Sequence, residues 1–586
     1  MNRLRIPWAL PLFSATLAVA LLGRIWVLQQ LSHKALGCRW CVVPGTLSTD
    51  LPLLAIAGIL LTVSLLMPGR GWSALWRIPA LAFLLIYAAD AVITAQFATR
   101  LSLSDIFVYL QQPTIIAQQL GELAAWQLLV ALAMAATLMA IAWPGRRYRL
   151  SWPIAGRFIV VWAVIAGTGW MIPAPDYVHD WAIRNVVAAN LGNGTTTDYA
   201  KETRERLVDD SYPPLTCRAG EGKRENVVVL ILESWSSYHS ALWSGINNWT
   251  PNLDAIARDA IRFERFHAAG FNTNDGLTAL LTGQPFSLPM TPPSQTEPFE
   301  TARRPRTTLP RQLGAHGYRS HFITSGDLSF TRKGEWLERI GFDALEGHDH
   351  PAYDGVSRHH FNAVPDDVLY DRAQSAIKTL ASESSPYLAV VESVSTHHPF
   401  RHPYTGARDE AAVVGFMDES AAGFIATLEQ GDFFDNGILA VVSDHRAMTF
   451  ISEAEARQFG RAAASRIPAF IMTGNGRGRT VDSLFHQADL LPTLVGRVTD
   501  SVCSTPWQRA MLANEARSPA SSRCVLHTRG DQRDRIDAFC EKGSGTVQVD
   551  GANSRFMASE GLSESRRQAI LTRIAATRLN ASRGGQ

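Results

Sequence analysis

The chain has 586 residues, enough for several domains, and carries 55 basic against 53 acidic side chains for a net charge of +2. That balance excludes the strongly positive field of a nucleic-acid-binding protein. Hydrophobic residues make up 46 % of the chain, and they are concentrated before about residue 175.

Five apolar stretches come first: Trp8–Leu28, Leu51–Met67, Arg77–Phe97, Ala124–Trp143 and Phe158–Ile172. Most are near the ~20 residues that a bilayer helix needs. One such stretch alone reads as a buried core helix or a signal peptide. Five in series predict a membrane domain over residues 1–175. Arg24 and Asp90 interrupt the pattern. Arg24 is expected to snorkel or to face the bundle interior, and Asp90 to line a pocket between helices.

Orientation follows from the Lys/Arg distribution. Arg3 and Arg5 precede the first stretch, Arg70 and Arg77 flank the third, and Arg146, Arg147, Arg149 and Arg157 lie between the fourth and fifth. The segment between the third and fourth has Arg100 beside Asp105 and Glu122, and that between the first and second holds Lys34 and Arg39. The N-terminus is therefore expected inside, and an odd number of spans puts the rest of the chain outside the cytoplasmic membrane, facing the periplasm or exterior. No small-residue cleavage site closely follows the first apolar stretch, so it reads as an anchor.

The cysteine pattern agrees with an oxidising compartment. Cys38-x-x-Cys41 falls in an outward loop and is read as a local disulfide, while Cys217, Cys503, Cys524 and Cys540 lie in the soluble part with their pairing open. Residues 176–224 read as a turn-rich linker, with Asn190-Leu-Gly-Asn-Gly194 and Tyr212-Pro-Pro as breakers.

From residue 225 strand-like runs alternate with helical patterns. The runs are Val227–Leu232, His321–Thr324, Tyr387–Val391, Ile438–Val442 and Ile467–Met472. Thr250-Pro251 opens one helix and Asp418–Gln430 forms another. The rhythm predicts an α/β domain over 225–500 with a mostly parallel central sheet covered by helices. Residues 501–586 form a cysteine-bearing extension ending in a basic helix, Ser563–Leu579.

Chemistry gathers at strand ends, the edge where open α/β sheets form active sites. Glu233 directly follows Val227–Leu232, and Ser443-Asp444-His445 follows Ile438–Val442. Each alone also reads as an ordinary strand terminus or turn. Together they offer carboxylate and imidazole ligands without sulfur, a set suited to Mn²⁺, Mg²⁺ or Zn²⁺. Thr273, in Gly270-Phe-Asn-Thr-Asn-Asp-Gly276, begins a helix; the polar residues there are explained by N-capping alone, with Asn272 or Thr273 as cap. The functional reading makes Thr273 a nucleophile, with helix-start amides near the phosphoryl oxygens and a metal to lower its pKa. His397 and His398, before Pro399-Phe400, are candidates to bind an anionic substrate or protonate a leaving group.

These motifs, in this order, resemble the lipoteichoic acid synthase family of phosphoglycerol transferases in the alkaline phosphatase and sulfatase superfamily. Leu232-Glu-Ser, the Thr273-Asn-Asp-Gly loop, Thr396-His-His-Pro-Phe, Ser443-Asp-His and the late stretch Leu484–Leu494 carry the resemblance, with the five-span anchor. It implies a sulfatase-like fold outside the membrane. It implies Glu233, Thr273, Asp444 and His445 as metal ligands, commonly for manganese, with Thr273 also the nucleophile. His397 is implied to hold glycerophosphate. The family's Trp-x-Arg phosphate cradle matches Phe330-Thr-Arg332-Lys333, where phenylalanine replaces the tryptophan; Arg332 and Lys333 both stand for the arginine.

The implied reaction moves glycerophosphate from phosphatidylglycerol to a cell-envelope glycan or polymer through a phospho-threonine. A phosphoethanolamine transferase shares the anchor and stands as an alternative. A sulfatase or phosphodiesterase-type hydrolase is another alternative, though a true sulfatase would need Cys or Ser followed by x-Pro-x-Arg, which no segment supplies. A catalytically inactive membrane scaffold is a further alternative, against which the complete ligand set argues.

Overall fold

In the computed structural model, the structure describes residues 7–34, 40–97, 100–102, 106, 125–142, 150–173, 180–190, 207, 214–218, 224–284, 299, 307–474, 478–512, 523–530, 534–550 and 552–582. Two compact units emerge, one of residues 1–192 with 449–453 and one of 193–448 with 454–586.

The first unit holds α1 (Ala9–Lys34), α2 (Val42–Leu66), α3 (Arg70–Phe97), α4 (Ala125–Ala142) and α5 (Trp152–Met171). All five overlap the predicted stretches. Length and composition alone suit α1, α2, α3 and α5 to crossing a bilayer, along with Glu410–Gln430 of the second unit. The last is a core helix: its Val414, Met417, Ala421, Phe424, Ile425 and Leu428 pack into the apolar layer on one face of the central sheet.

Arg24 faces the bundle interior. Its guanidinium lies 3.1 Å from Asp50 and 2.7 Å from Asp90. Arg100 also pairs with Asp90, and Tyr87 donates to Asp50 over 2.6 Å. All four charges are buried, so pairing offsets their desolvation. Arg24 also donates to the carbonyls of Ala182 and Arg184. Those residues border two short helices, Asp180–Ile183 and Val186–Asn190, in a segment read from sequence as linker. The reason for the difference is tertiary: their order draws on donors from distant helices. Arg3, Arg5, Arg39, Asp105, Glu122, Arg146, Arg147, Arg149 and Cys38, and the breakers at 191–194 and 212–213, lie outside the described residues.

The second unit is built on an eight-stranded sheet of β2 (Asn226–Leu232), β3 (Ile261–His267), β4 (Arg319–Thr324), β5 (Ala344–Glu346), β6 (Tyr387–Glu392), β7 (Gly437–Ser443), β8 (Ala469–Thr473) and β9 (Arg479–His486). Their spatial order is β5-β4-β6-β2-β7-β8-β3-β9. Pairing is parallel except where β8 runs against β7 and β3. Strand β2 is central and buried on both faces. Val227, Val229 and Ile231 enter one apolar layer, and Val228, Leu230 and Leu232 the other. This is why its sequence is a continuous apolar run rather than an alternating one. Each fully buried side chain of this kind contributes about 1.5–3 kcal/mol.

A two-stranded ribbon joins β1 (Thr216–Arg218) to β10 (Val502–Ser504), with a Cys217–Cys503 disulfide across it. Beyond it, β11 (Cys524–Thr528), β12 (Arg535–Cys540), β13 (Ser544–Asp550) and β14 (Asn553–Glu560) form an antiparallel meander. A second disulfide, Cys524–Cys540, links its first two strands. The helix Glu564–Ser582 packs Ile570 and Ile574 onto this sheet. The extension is thus a folded layer, which its polar sequence did not announce.

Candidate active site

The C-terminal ends of β2 and β7 are neighbours, with Leu232 opposite Ser443. The residues that follow them therefore emerge side by side. Ser234 takes a left-handed conformation at φ 57°. Its N–H donates to Asp444 Oδ1 over 2.8 Å, and its hydroxyl to Glu233 Oε1 over 2.7 Å. The Glu233 N–H is held by Ser393 Oγ at 3.0 Å.

Glu233, Asp444 and His445 each offer a ligand atom within 4.8 Å of the others, and all three are buried. His445 Nδ1 lies 2.8 Å from the Arg446 carbonyl. A carbonyl only accepts, so Nδ1 carries the proton and Nε2 presents its lone pair. That Nε2 lies 3.4 Å from Glu233 Oε1, 3.2 Å from Asp444 Oδ2 and 3.5 Å from Thr273 Oγ1. Asp444 Oδ2 accepts no hydrogen bond. Two buried carboxylates and the imidazole Nε2 therefore converge on one point, an arrangement that needs a positive charge there, either a proton on Nε2 or a metal ion in its place. The residues fit a divalent metal with oxygen and nitrogen ligands.

The titration behaviour has the same cause. Burial opposes the charge on His445, but Asp444 and Glu233 outweigh it and raise the imidazole to about 9. Burial and the Glu233 charge push the Asp444 carboxyl up to about 7. Burial also opposes ionisation of Glu233, yet His445 and His397 hold it at about 2. A proton taken up by His445 serves the charge role that a metal ion would fill.

Thr273 opens the helix Thr273–Thr282. Asn272 caps it, its side chain accepting from the Asp275 N–H at 3.0 Å, so Asn272 takes the capping role and leaves the Thr273 hydroxyl directed at His445. Gln487, not among the residues singled out from sequence, ties the two halves together. Its carbonyl accepts from the Ala269 N–H at 2.8 Å, and its amide donates to the carbonyls of Ser443 and Asp444 at 2.7 and 2.6 Å. The only sequence signal for it is its place in the late Leu484–Leu494 stretch.

His397 is half-buried and donates from Nδ1 to the His398 carbonyl over 2.7 Å. Its ring meets Phe361 edge-on at 4.7 Å, and Phe361 meets Phe330 at 4.8 Å. Burial lowers the His397 pKa, partly countered by Glu233. Burial and the neighbouring His397 hold His398 down at about 3. Lys333 and Arg332 diverge. Arg332 is half-exposed and pairs with Glu335, whereas Lys333 lies 2.7 Å from the buried Glu392 carboxylate. Glu392 closes β6 opposite Ile231, two residues before Glu233. Of the two cations, Lys333 is the one drawn to the sheet's ligand-bearing edge. Glu392 itself was missed, although it ends a strand just as Glu233 follows one.

Residues 225–500 match the sulfatase family model. The fold agrees with a protein of the alkaline phosphatase superfamily from Vibrio parahaemolyticus, at a TM-score of 0.52 and 20 % identity over 66 % of this chain and 96 % of that one. The chain thus carries a sulfatase-like α/β fold over residues 225–500, after its apolar N-terminal helices in sequence. Among curated proteins it is similar to phosphoglycerol transferase I of Xanthomonas euvesicatoria, 28 % identical over 39 % of this chain and 34 % of the relative. Phosphoglycerol transferase I of Xanthomonas campestris pv. campestris (strain ATCC 33913) is 26 % identical over 51 % and 44 %. The chain spans less than half the length of these relatives.

Proposed function

We propose that this chain is a membrane-anchored, metal-dependent phosphoglycerol transferase that uses Thr273 as its nucleophile. The observation that carries the reading is the cluster of Glu233, Asp444 and His445, with the Thr273 hydroxyl 3.5 Å from His445 Nε2. The similarity to phosphoglycerol transferases of Xanthomonas supports the choice of group transferred.

Glu233, Asp444, His445 and Thr273 would hold a divalent cation, manganese in our reading, with magnesium or zinc compatible with the same donors. When bound, such a cation lowers the hydroxyl pKa of its ligand and offsets charge on phosphoryl oxygens. Thr273 Oγ1 loses its proton and attacks the phosphorus of phosphatidylglycerol. The phosphorus–oxygen bond to diacylglycerol breaks, and the leaving oxygen takes up a proton. An acceptor hydroxyl of an envelope glycan or polymer then attacks the phospho-threonine and restores Thr273. The amides of the first helical turn face the phosphoryl oxygens. His397, braced by Phe361, and Lys333 bind the anionic headgroup, with His398 behind His397; Arg332 would have to leave Glu335 to join them.

The domain works on the outer face of the cytoplasmic membrane in this reading. Disulfides Cys217–Cys503 and Cys524–Cys540 support an oxidising compartment.

Intact-mass spectrometry of the full chain in detergent, with Mn²⁺ and either phosphatidylglycerol or phosphatidylethanolamine, tests the reading. A glycerophosphate adduct lost in Thr273→Ala is expected. An ethanolamine-phosphate adduct instead would move the chain to the sister class, and normal turnover by Thr273→Ala would sink the nucleophile assignment.

A further inference from the structure

The extension after residue 523 lies along the segment that leads into Thr273, residue by residue. The His267 ring stacks on Phe539 at 4.9 Å. His527 Nδ1 donates to the Ala268 carbonyl over 3.0 Å. Thr528 donates its N–H to the Ala269 carbonyl over 2.9 Å. Its hydroxyl lies 3.3 Å from that carbonyl and 3.4 Å from Asp275 Oδ2. Gly530 approaches the Phe271 ring so closely that a Cβ there would lie 2.2 Å from it. Gly270 is equally enclosed, since a Cβ would fall 1.9 Å from Asp275 Oδ2 and 2.5 Å from Thr528 Oγ1.

Asp275 passes this contact on. Its Oδ2 accepts from the Phe271 N–H at 2.9 Å, and its own N–H is received by the Asn272 cap at 3.0 Å. Thr528 is thereby linked through Asp275 to Asn272, the residue next to Thr273. Strand β11 has its free edge on this segment and its other edge on β12, to which the Cys524–Cys540 disulfide ties it.

We propose that the C-terminal antiparallel sheet is the support of the nucleophile segment, with Thr528 a positioning residue that sets the place of Thr273 through Ala269 and Asp275. This rests on the reading of Thr273 as nucleophile. A support of this kind acts on the chemical step rather than on donor binding, because it touches neither headgroup nor metal ligands. A misplacement of the attacking oxygen by about 1 Å costs on the order of a hundredfold in rate.

The test uses the full chain in detergent with Mn²⁺, reading diacylglycerol release from phosphatidylglycerol for Thr528→Val and Thr528→Ser. In Thr528→Val, kcat is expected to fall about ten- to a hundredfold while the KM for phosphatidylglycerol stays within about twofold. Thr528→Ser, which keeps the hydroxyl, is expected to recover most of that loss. Hydrogen exchange at the amides of residues 270–275 is expected to quicken in Thr528→Val alone, without a matching change on β2 and β7. An unchanged kcat overturns the proposal. So does a loss that Thr528→Ser fails to restore and that accompanies general destabilisation. Thr273→Ala is measured alongside. If it still turns over, the nucleophile reading fails, and the exchange measurement alone decides the support: unchanged exchange at 270–275 overturns it, and faster exchange upholds it.

Discussion

Gly276 sits where a side chain has no room: a Cβ there would lie 2.0 Å from the Asp444 carbonyl oxygen. The helix bearing Thr273 therefore approaches the ligand strand backbone-to-backbone. Gly276→Ala must push the two apart, and we expect transfer to fall by about a hundredfold or more, read as kcat at saturating phosphatidylglycerol. Glu346 offers a residue-level test of pH. Burial opposes its ionisation, but hydrogen bonds from His321 and Arg372 hold its carboxyl at about 2, below its ordinary 4.5. A depressed carboxylate contributes stability that is fully present above about pH 4.5 and is lost as pH falls towards 2. Thermal unfolding from pH 6 down to 2.5 is expected to show a shallower acid-side decline in Glu346→Gln than in the parent, from a lower starting stability. Equal slopes would contradict this. At this scale Glu233, Thr273, Asp444 and His445 were legible as candidates because each stands beside a strand end or helix start, and His397 because it lies in the His-His-Pro-Phe loop that follows β6. Gln487, Glu392 and Thr528 were not, since their roles are contacts with residues remote in sequence.

Elements differ in how openly their sequences declare them. Strand β2 is an unbroken apolar run because both its faces are buried, and β7 is the same. Strand β3, Ile261-Arg-Phe-Glu-Arg-Phe-His, is interrupted by charges, and of its apolar side chains Phe263 and Phe266 are fully buried. It was missed for that reason. So were β11–β14, short strands that share small apolar clusters and interleave them with polar residues such as His527, Asp537 and Gln548. The Cys217–Cys503 bridge closes a separation of 286 residues and ties the first strand of the unit to the end of the sulfatase-like fold. Replacing both cysteines by serine is expected to cost about 2–5 kcal/mol in denaturant unfolding, with activity retained at low temperature.

The chain as a whole combines two solvents' worth of design. In the membrane unit, four buried charges are tolerated because Arg24, Asp50, Asp90 and Arg100 meet one another. Asp90→Leu removes the shared partner of both arginines. We expect a loss of about 3–5 kcal/mol, seen as a lower unfolding midpoint in detergent. Asp90→Leu with the midpoint of the parent would show that the arginines find other partners.

By itself the sequence determined the apolar helices, the α/β rhythm and the candidate carboxylate and imidazole groups, because these depend on local periodicity and on which residues end an apolar run. Only the tertiary structure decided which of these groups converge, that Lys333 rather than Arg332 reaches the sheet edge, and that the polar C-terminal extension lies against the segment leading into Thr273. Those outcomes depend on strand order and on close approach between segments far apart in the chain, and no local pattern encodes either.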